Sequence, residues 1–246
     1  CRQIRKEKSM EHEKISAILL AGGNGKRMQA DIPKQYMLLG NKPVLSYSLE
    51  AFSRSSDDDI ILVANECDKE YLKEHILKKY PVPKPVHLVT GGEERYLSVY
   101  NGLKRLTNAD YVLIHDSARP FITVGLIEQV ISTLRECGAC AVGVPVKDTI
   151  KIVDTKGTIL ETPDRNKTWA IQTPQAFQTS LIIRAYDMLM EKLQYNTDSQ
   201  CFVTDDTMVL EYTLKHPVRM IKGSYSNIKI TTPEDMIMAE AILKNK

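Results

Sequence analysis

The chain has no apolar run approaching the ~20 residues that span a bilayer, and its first fourteen residues, CRQIRKEKSMEHEK, are nearly all polar and lack the apolar centre of a secretory signal. It has almost no charge excess either. Lys and Arg number 33 against 31 Asp and Glu, a formal +2, so no global field favours a polyanion such as DNA and any anion site must be local. Cysteine is sparse: Cys1, Cys67, Cys137, Cys140 and Cys201 are odd in number and scattered, which argues against a disulfide framework. Cys137-Gly-Ala-Cys140 has the spacing of a redox or zinc pair, but no second Cys/His pair follows; Gly138 reads as a helix end and Cys140 as the start of a strand. The five histidines form no HExxH or similar cluster, so no metal ligands are assigned. Internal repeats, low-complexity linkers and a second domain are also lacking. The expectation is a cytoplasmic protein with neither nucleic-acid nor membrane partners. Residues 1–14 read as a frayed extension and residues 15–246 as a single domain.

What is present is alternation. ISAILLA, DIILVAN, VHLVTGG, YVLIHD and ACAVGVPV are short, rich in Val, Ile and Leu and bounded by turn residues, as strands are. PVLSYSLEAFSR, KEYLKEHILKKY, EERYLSVYNGLKRL and VGLIEQVISTLREC lie between them with apolar residues at helical spacing. This order predicts an α/β fold, a Rossmann-like, mostly parallel sheet with helices on both faces. Ligands of such sheets bind at the carboxyl ends of the strands, here AGGNG, GGEER, HDSARP and the stretch before VKDT. The rhythm breaks after Val146. DTIKIVDTKGTILETPDRN reads as a hairpin arm, about residues 148–165, that leaves Ile150, Ile152 and Ile159 exposed unless something covers them. Either a second subunit covers it, making a dimer arm, or it folds back on its own domain. TWAIQTPQAF then reads as strand and turn, SLIIRAYDMLMEKLQ and DDTMVLEYTL as helices, SNIKI as a strand, and PEDMIMAEAILKN as a closing helix with Pro233 in its first turn.

The segment AILLAGGNGKRM carries the first chemical signal. Gly22, Gly23 and Gly25 after a strand let the backbone approach a ligand, and exposed amides in such a turn form an anion nest. Neither common phosphate loop is satisfied: Lys26 is followed by Arg27 where a Walker loop needs Ser or Thr, and Met28 stands where a dinucleotide fingerprint needs a small residue. Arg27 and Lys34, the latter just after Pro33, add cations to the same neighbourhood. Cations gathered around phosphates suit displacement at the α-phosphorus of a nucleoside triphosphate, where charge stabilisation carries most of the catalysis. A phosphate monoester nucleophile, ionised near neutrality, needs no general base. His115 beside Asp116 is open to two readings, as a base or as a packing and hydrogen-bonding histidine.

The strings LLAGGNGKRM…PKQY, GGEERYLSV, HDSARPF, VKDTIK, DRNKTWAIQTPQAF, TDD and NIKITTPED occur in this order from about Ile15 to the C-terminus. In that order they resemble the 2-C-methyl-D-erythritol 4-phosphate cytidylyltransferase family. LAGG, HDSARPF and NIKITTP also occur in ribitol-5-phosphate cytidylyltransferase, an enzyme of cell-wall polymer synthesis; VKDTIK with Lys151, DRNKTWAIQTPQ and TDD favour the methylerythritol enzyme. The resemblance implies transfer of a cytidylyl group from CTP to methylerythritol phosphate with release of pyrophosphate, in isoprenoid precursor synthesis. It also implies Mg2+ held mainly by the CTP phosphates.

Carried over position by position, the resemblance implies a triphosphate loop of Ala21, Gly22, Gly23, Gly25 and Lys26, with Arg27 and Lys34 stabilising charge at the α-phosphate. Gly92, Glu93, Arg95 and Ser98 would meet cytosine and ribose, and Asp116 would lie near the reacting phosphates or the metal. Thr149, Arg165, Thr173, Thr204 and Lys229 would grip the second substrate. Many relatives carry Ala-Ala-Gly where this chain has Ala21-Gly22-Gly23, and Asp where it has Glu93. Thr149 and Thr173 also suit strands on propensity alone, and Thr204 also suits a helix N-cap. A lone Lys229 between Ile228 and Ile230 must find an anion or solvent. Thr149 and Arg165 flank the hairpin, so an exchanged arm in a homodimer would deliver both to the partner's site.

Overall fold

A computed structural model describes residues 12–23, 32–195 and 203–245. In chain order its elements are β1 (Ile15–Leu20), a short 3-10 turn (Lys34–Tyr36), β2 (Leu38–Leu39), β3 (Lys42–Pro43), α1 (Val44–Ser53) and β4 (Asp59–Ala64). Next come α2 (Lys69–Tyr71), continued by a wider-turned stretch Leu72–Leu77, β5 (Val86–Thr90), α3 (Arg95–Lys104), β6 (Tyr111–Asp116), α4 (Val124–Cys137) and β7 (Ala139–Pro145). The chain ends with β8 (Ile152–Val153), β9 (Ile159–Glu161), β10 (Trp169–Gln178), α5 (Thr179–Tyr195), α6 (Asp206–Leu214), β11 (Arg219–Lys222) and α7 (Pro233–Lys244).

Seven strands form one sheet in the order β11-β7-β10-β6-β1-β4-β5. All neighbours run parallel except β10, which is antiparallel to both β6 and β7. The two-residue period of each strand divides the core. Ala17, Leu19, Ile60, Leu62, Leu113 and Val142 face α1, the Leu72–Leu77 stretch and α4, whereas Ile18, Ile61, Val63, Val112, Ile114 and Phe177 face α3, α5 and α6. Continuous apolar runs in the central strands therefore signal cover on both faces. A smaller cluster of Leu39, Val44, Phe121, Ile230 and Ala239 packs α7 beside the β2–β3 hairpin.

Local chemistry accounts for the element ends. Thr123 caps α4 by accepting from the Leu126 amide, and Gly138 closes it at φ 73°. Cys140, whose thiol burial pushes up to about 12, is the second residue of the next strand and packs there as a small apolar residue. Thr232 and Asp235 make a capping box ahead of Pro233. Within the extension expected to fray, residues 12–14 are tied down: the Lys14 amide donates to Asp110 and Glu13 pairs with Arg135.

Two segments differ from expectation. SNIKI is no strand: its Asn227 side chain donates to Thr173 O, its Asn227 carbonyl accepts from Arg119, and the Ile230 amide bonds Ala118 O, so these groups are satisfied without a ladder. The edge strand instead is β11, where Ile221 alone is buried and the alternation signal is accordingly faint. TWAIQTPQAF is one long strand whose register shifts between Ile171 and Gln175, around the cis Thr173–Pro174 bond. Among the described residues no helix is long and apolar enough to cross a membrane.

Candidate active site

Because β1, β4, β5 and β6 are parallel, their carboxyl ends open on the same edge of the sheet. The loops there enclose a cleft of about 630 Å3, within the range of small-molecule sites. Ala21, Gly22 and Gly23 leave β1; Asn65 and Glu66 leave β4; Gly91 to Glu94 leave β5; Asp116 ends β6. Lys34 enters from the 3-10 turn, which Gln35 anchors by donating its side-chain amide to Ala21 O at 2.7 Å. Around Gly23 nothing lies within 4 Å of where a Cβ would stand, so packing does not demand the glycine there. Gly92 is different, since a Cβ would come within 2.3 Å of Leu97 Cβ. Ser98 Oγ accepts from the Gly92 amide at 3.0 Å and fixes that loop.

The cleft floor is a charge network. Arg95 gives its two terminal nitrogens to Asp206, at 2.9 and 2.8 Å, and its Nε to Asp116 Oδ1 at 3.2 Å. Lys229 Nζ reaches the other Asp116 oxygen at 2.7 Å. Tyr186 OH donates to Asp206 at 2.6 Å from the core side. Burial opposes ionisation of Asp116, but Arg95 and Lys229 outweigh it and hold the carboxyl well below the ordinary carboxylate range. Burial likewise works against the Arg95 cation; the charges of Asp206 and Asp116 prevail and raise its pKa further. Burial pushes the Tyr186 hydroxyl up, and Asp206 adds to this, so it stays a donor.

His115, one residue before Asp116, is fully buried and lies behind the cleft. The Asp116 amide donates to Thr173 Oγ1 at 3.1 Å, and Thr173 Oγ1 lies 3.0 Å from His115 Nδ1. The threonine hydroxyl therefore donates to Nδ1, and Nε2 carries the proton that faces Arg119 O at 3.3 Å. Burial lowers its pKa to about 4, keeping the ring neutral. Of the two readings of this histidine, the hydrogen-bonding one fits; it has no access to a substrate.

Of the residues singled out from sequence, Ala21, Gly22, Gly23, Lys34, Gly92, Glu93, Arg95, Ser98, Asp116 and Lys229 all line the cleft. Gly25, Lys26 and Arg27 lie outside the described residues. Thr173 is not in the lining but holds Asp116 and His115 from behind. Thr149 and Arg165 are exposed on the hairpin arm and do not line the cleft of their own chain. Thr204 is exposed, its hydroxyl on Met208 Sδ at 3.5 Å, and it is not the N-cap of α6; Asp205 is, accepting from the Met208 amide. Sequence reasoning overlooked Asp206, Tyr186, Gln35 and Gln175. The second acid of TDD and the second Gln of QTPQ were the available signals: Gln175 Oε1 accepts from the Asp206 and Thr207 amides and so docks α6 against β10.

A doubly wound sheet with a glycine-lined, cation-bearing cleft at its strand ends defines an α/β nucleotide-handling protein. A profile of the 2-C-methyl-D-erythritol 4-phosphate cytidylyltransferase family matches residues 15–245, and the chain belongs to that family. It is 51% identical over 232 residues to the enzyme of that name from Lachnoclostridium phytofermentans, covering 94% of this chain and 97% of the relative. The crystal structure of 4-diphosphocytidyl-2C-methyl-D-erythritol synthase from Anaerococcus prevotii superposes with a TM-score of 0.82 at 38% identity, covering 94% of this chain and 96% of that one. The cytidylyltransferase from Thermus thermophilus superposes with a TM-score of 0.72 at 25% identity, over 94% and 99% of the two chains.

Proposed function

We propose that this chain joins CTP and 2-C-methyl-D-erythritol 4-phosphate to give 4-diphosphocytidyl-2-C-methyl-D-erythritol and pyrophosphate, as a single cytoplasmic nucleotidyltransferase domain. The observation that carries this reading is the convergence of Lys34, Asp116 and Lys229 on a glycine-lined cleft, in a chain whose family membership extends over nearly its whole length. An oxygen of the methylerythritol phosphate attacks the α-phosphorus, the bond to the β-phosphate breaks, and pyrophosphate leaves; the ionised phosphate needs no base. Lys34, with Arg27 and Lys26, neutralises the charge that builds at the α-phosphate, and Ala21 to Gly25 cradle the triphosphate with backbone amides. Gly92, Glu93 and Ser98 shape the seat of the base and ribose, and Lys229 grips the incoming phosphate.

Mg2+ fits this site as an ion held mainly by substrate. Asp116 would have to share its carboxylate with Arg95 and Lys229; Glu66, Glu93 and Glu94 also line the cleft, and among the described residues no group of three or more acidic, His or Cys side chains gathers to hold a metal alone. A single carboxylate with phosphate oxygens and water is a usual Mg2+ set, and the bound ion would neutralise phosphate charge. Thr149, Arg165 and Thr204 complete the second-substrate site in this reading, while Thr173, buried behind Asp116, holds the backbone there in place. Thr149 and Arg165 come from a partner's arm in a homodimer, because the exposed Ile152, Val153, Ile159 and Leu160 of that arm find no cover in their own chain. The test is pyrophosphate release with CTP and each sugar-alcohol phosphate in Mg2+. Turnover with methylerythritol phosphate is expected; turnover with ribitol 5-phosphate alone sinks the assignment.

A further inference from the structure

Asp206 lies outside the cleft lining, yet three of the network's hydrogen bonds end on its carboxylate. It is fully buried at the start of α6, where Gln175 grips its backbone amide and Tyr186 donates to its carboxylate. Both terminal nitrogens of Arg95 fork onto it, the bidentate geometry that fixes a guanidinium plane as well as its charge. With that plane fixed, only Nε is turned toward Asp116, at Oδ1, and Asp116 Oδ2 is left for Lys229. Four charges of alternating sign thus run from the core to the cleft: Asp206, Arg95, Asp116, Lys229.

We propose that Asp206 is a positioning residue for the transfer reaction, acting through Arg95: its carboxylate holds the guanidinium edge-on to Asp116 and so sets where Lys229 stands in the cleft. Tyr186 and Gln175 are the supports that keep Asp206 in place. The proposal rests on the cytidylyl-transfer reading for its kinetic consequences, though not for its geometry. Without the carboxylate, the two terminal nitrogens of Arg95 lose their buried acceptor; the side chain can then turn its full donor set onto Asp116 or into the space beside Gly92. Lys229 is displaced in either case. An ångström-scale misplacement of a substrate-gripping cation lowers turnover on the order of 10- to 100-fold.

The test is a double-mutant cycle on kcat, with Asp206→Asn and Arg95→Gln, accompanied by the Arg95 Nε–H signal in 15N NMR, assigned by its loss in Arg95→Gln. Expected are a 10- to 100-fold lower kcat in Asp206→Asn and a double variant no slower than Arg95→Gln alone. Asp206→Glu, which keeps the charge, should recover most of the loss. The Arg95 Nε signal, expected to exchange slowly in the parent protein, should change its exchange rate or shift in Asp206→Asn. Losses that multiply in the double variant, an unaffected kcat, or an Nε signal identical in Asp206→Asn and parent would each overturn the proposal. If Asp206→Asn does not melt cooperatively, Tyr186→Phe takes its place in the cycle, with a two- to fivefold loss expected through the same coupling. A parent protein without turnover would refute the assigned reaction, and the NMR signal would still decide whether Asp206 holds Arg95.

Discussion

The cleft floor and the hairpin arm are built on opposite terms. At the floor, Arg95, Asp116 and Lys229 are each paired at hydrogen-bond distance, and Asp206 and Tyr186 lock the set from the core. In the arm, β8 and β9 pair over a few residues only and leave Leu160 66% and Ile159 59% exposed. Paired buried charges cost most when one partner is removed, whereas an apolar ribbon without cover gains most when a surface arrives. A single chain therefore pairs the charges of its cleft floor by itself and leaves the apolar side chains of the arm uncovered.

The largest expected effect falls in the cleft. Lys34→Ala should lower kcat by roughly 100- to 1,000-fold in a chain that still melts cooperatively, because it removes charge stabilisation at the reacting phosphate. Loss of folding instead would make the cation structural and erase the contrast. Next is the arm. Ile159→Asp should convert a dimer to a monomer in sedimentation and cut kcat about tenfold or more. Arg165→Met mixed with Lys34→Ala should recover about a quarter of parental activity, since half of randomly mixed dimers hold one intact site. No recovery on mixing would return the arm to its own chain.

Smaller effects sharpen the picture of the floor. His115 titrates near 4 when folded and near ~6.5 when unfolded, so between these values only the unfolded chain takes up the proton. Stability should therefore fall as pH drops from about 6.5 to 4, by up to about 3 kcal/mol, with no such loss above neutrality. Urea midpoints across that range measure it, and His115→Gln should flatten the slope. Asp205→Ala, removing the α6 cap, should cost about 1 kcal/mol of stability. Thr204→Ala should stay within about 0.5 kcal/mol, because its exposed hydroxyl meets only a thioether. Its kcat then tells whether the hydroxyl serves substrate.

The five strands read first from sequence are all present, and the alternation of short apolar runs with longer amphipathic ones already pointed to a sheet with helices on both faces. SNIKI misled because alternation can be imposed by side chains that bury for other reasons; Asn227 is fully buried beneath Gln172 and Thr173. RMIK was passed over because an edge strand with one buried residue alternates too little to notice. Glycines and cations next to strand ends pointed to the cleft, since local backbone chemistry places them there whatever surrounds them.

Which cation meets which anion could not be read that way. Arg95 and Asp206 are 111 positions apart, and only the packing of α6 against β10 through Gln175 makes them a pair. Residue order along the chain determined the strands, the helices between them and the edge on which a ligand would lie, because those follow from periodicities of a few residues. Tertiary structure decided the partners of the buried charges and the neutral state of His115, because burial and pairing depend on groups that meet only once the sheet has closed around them.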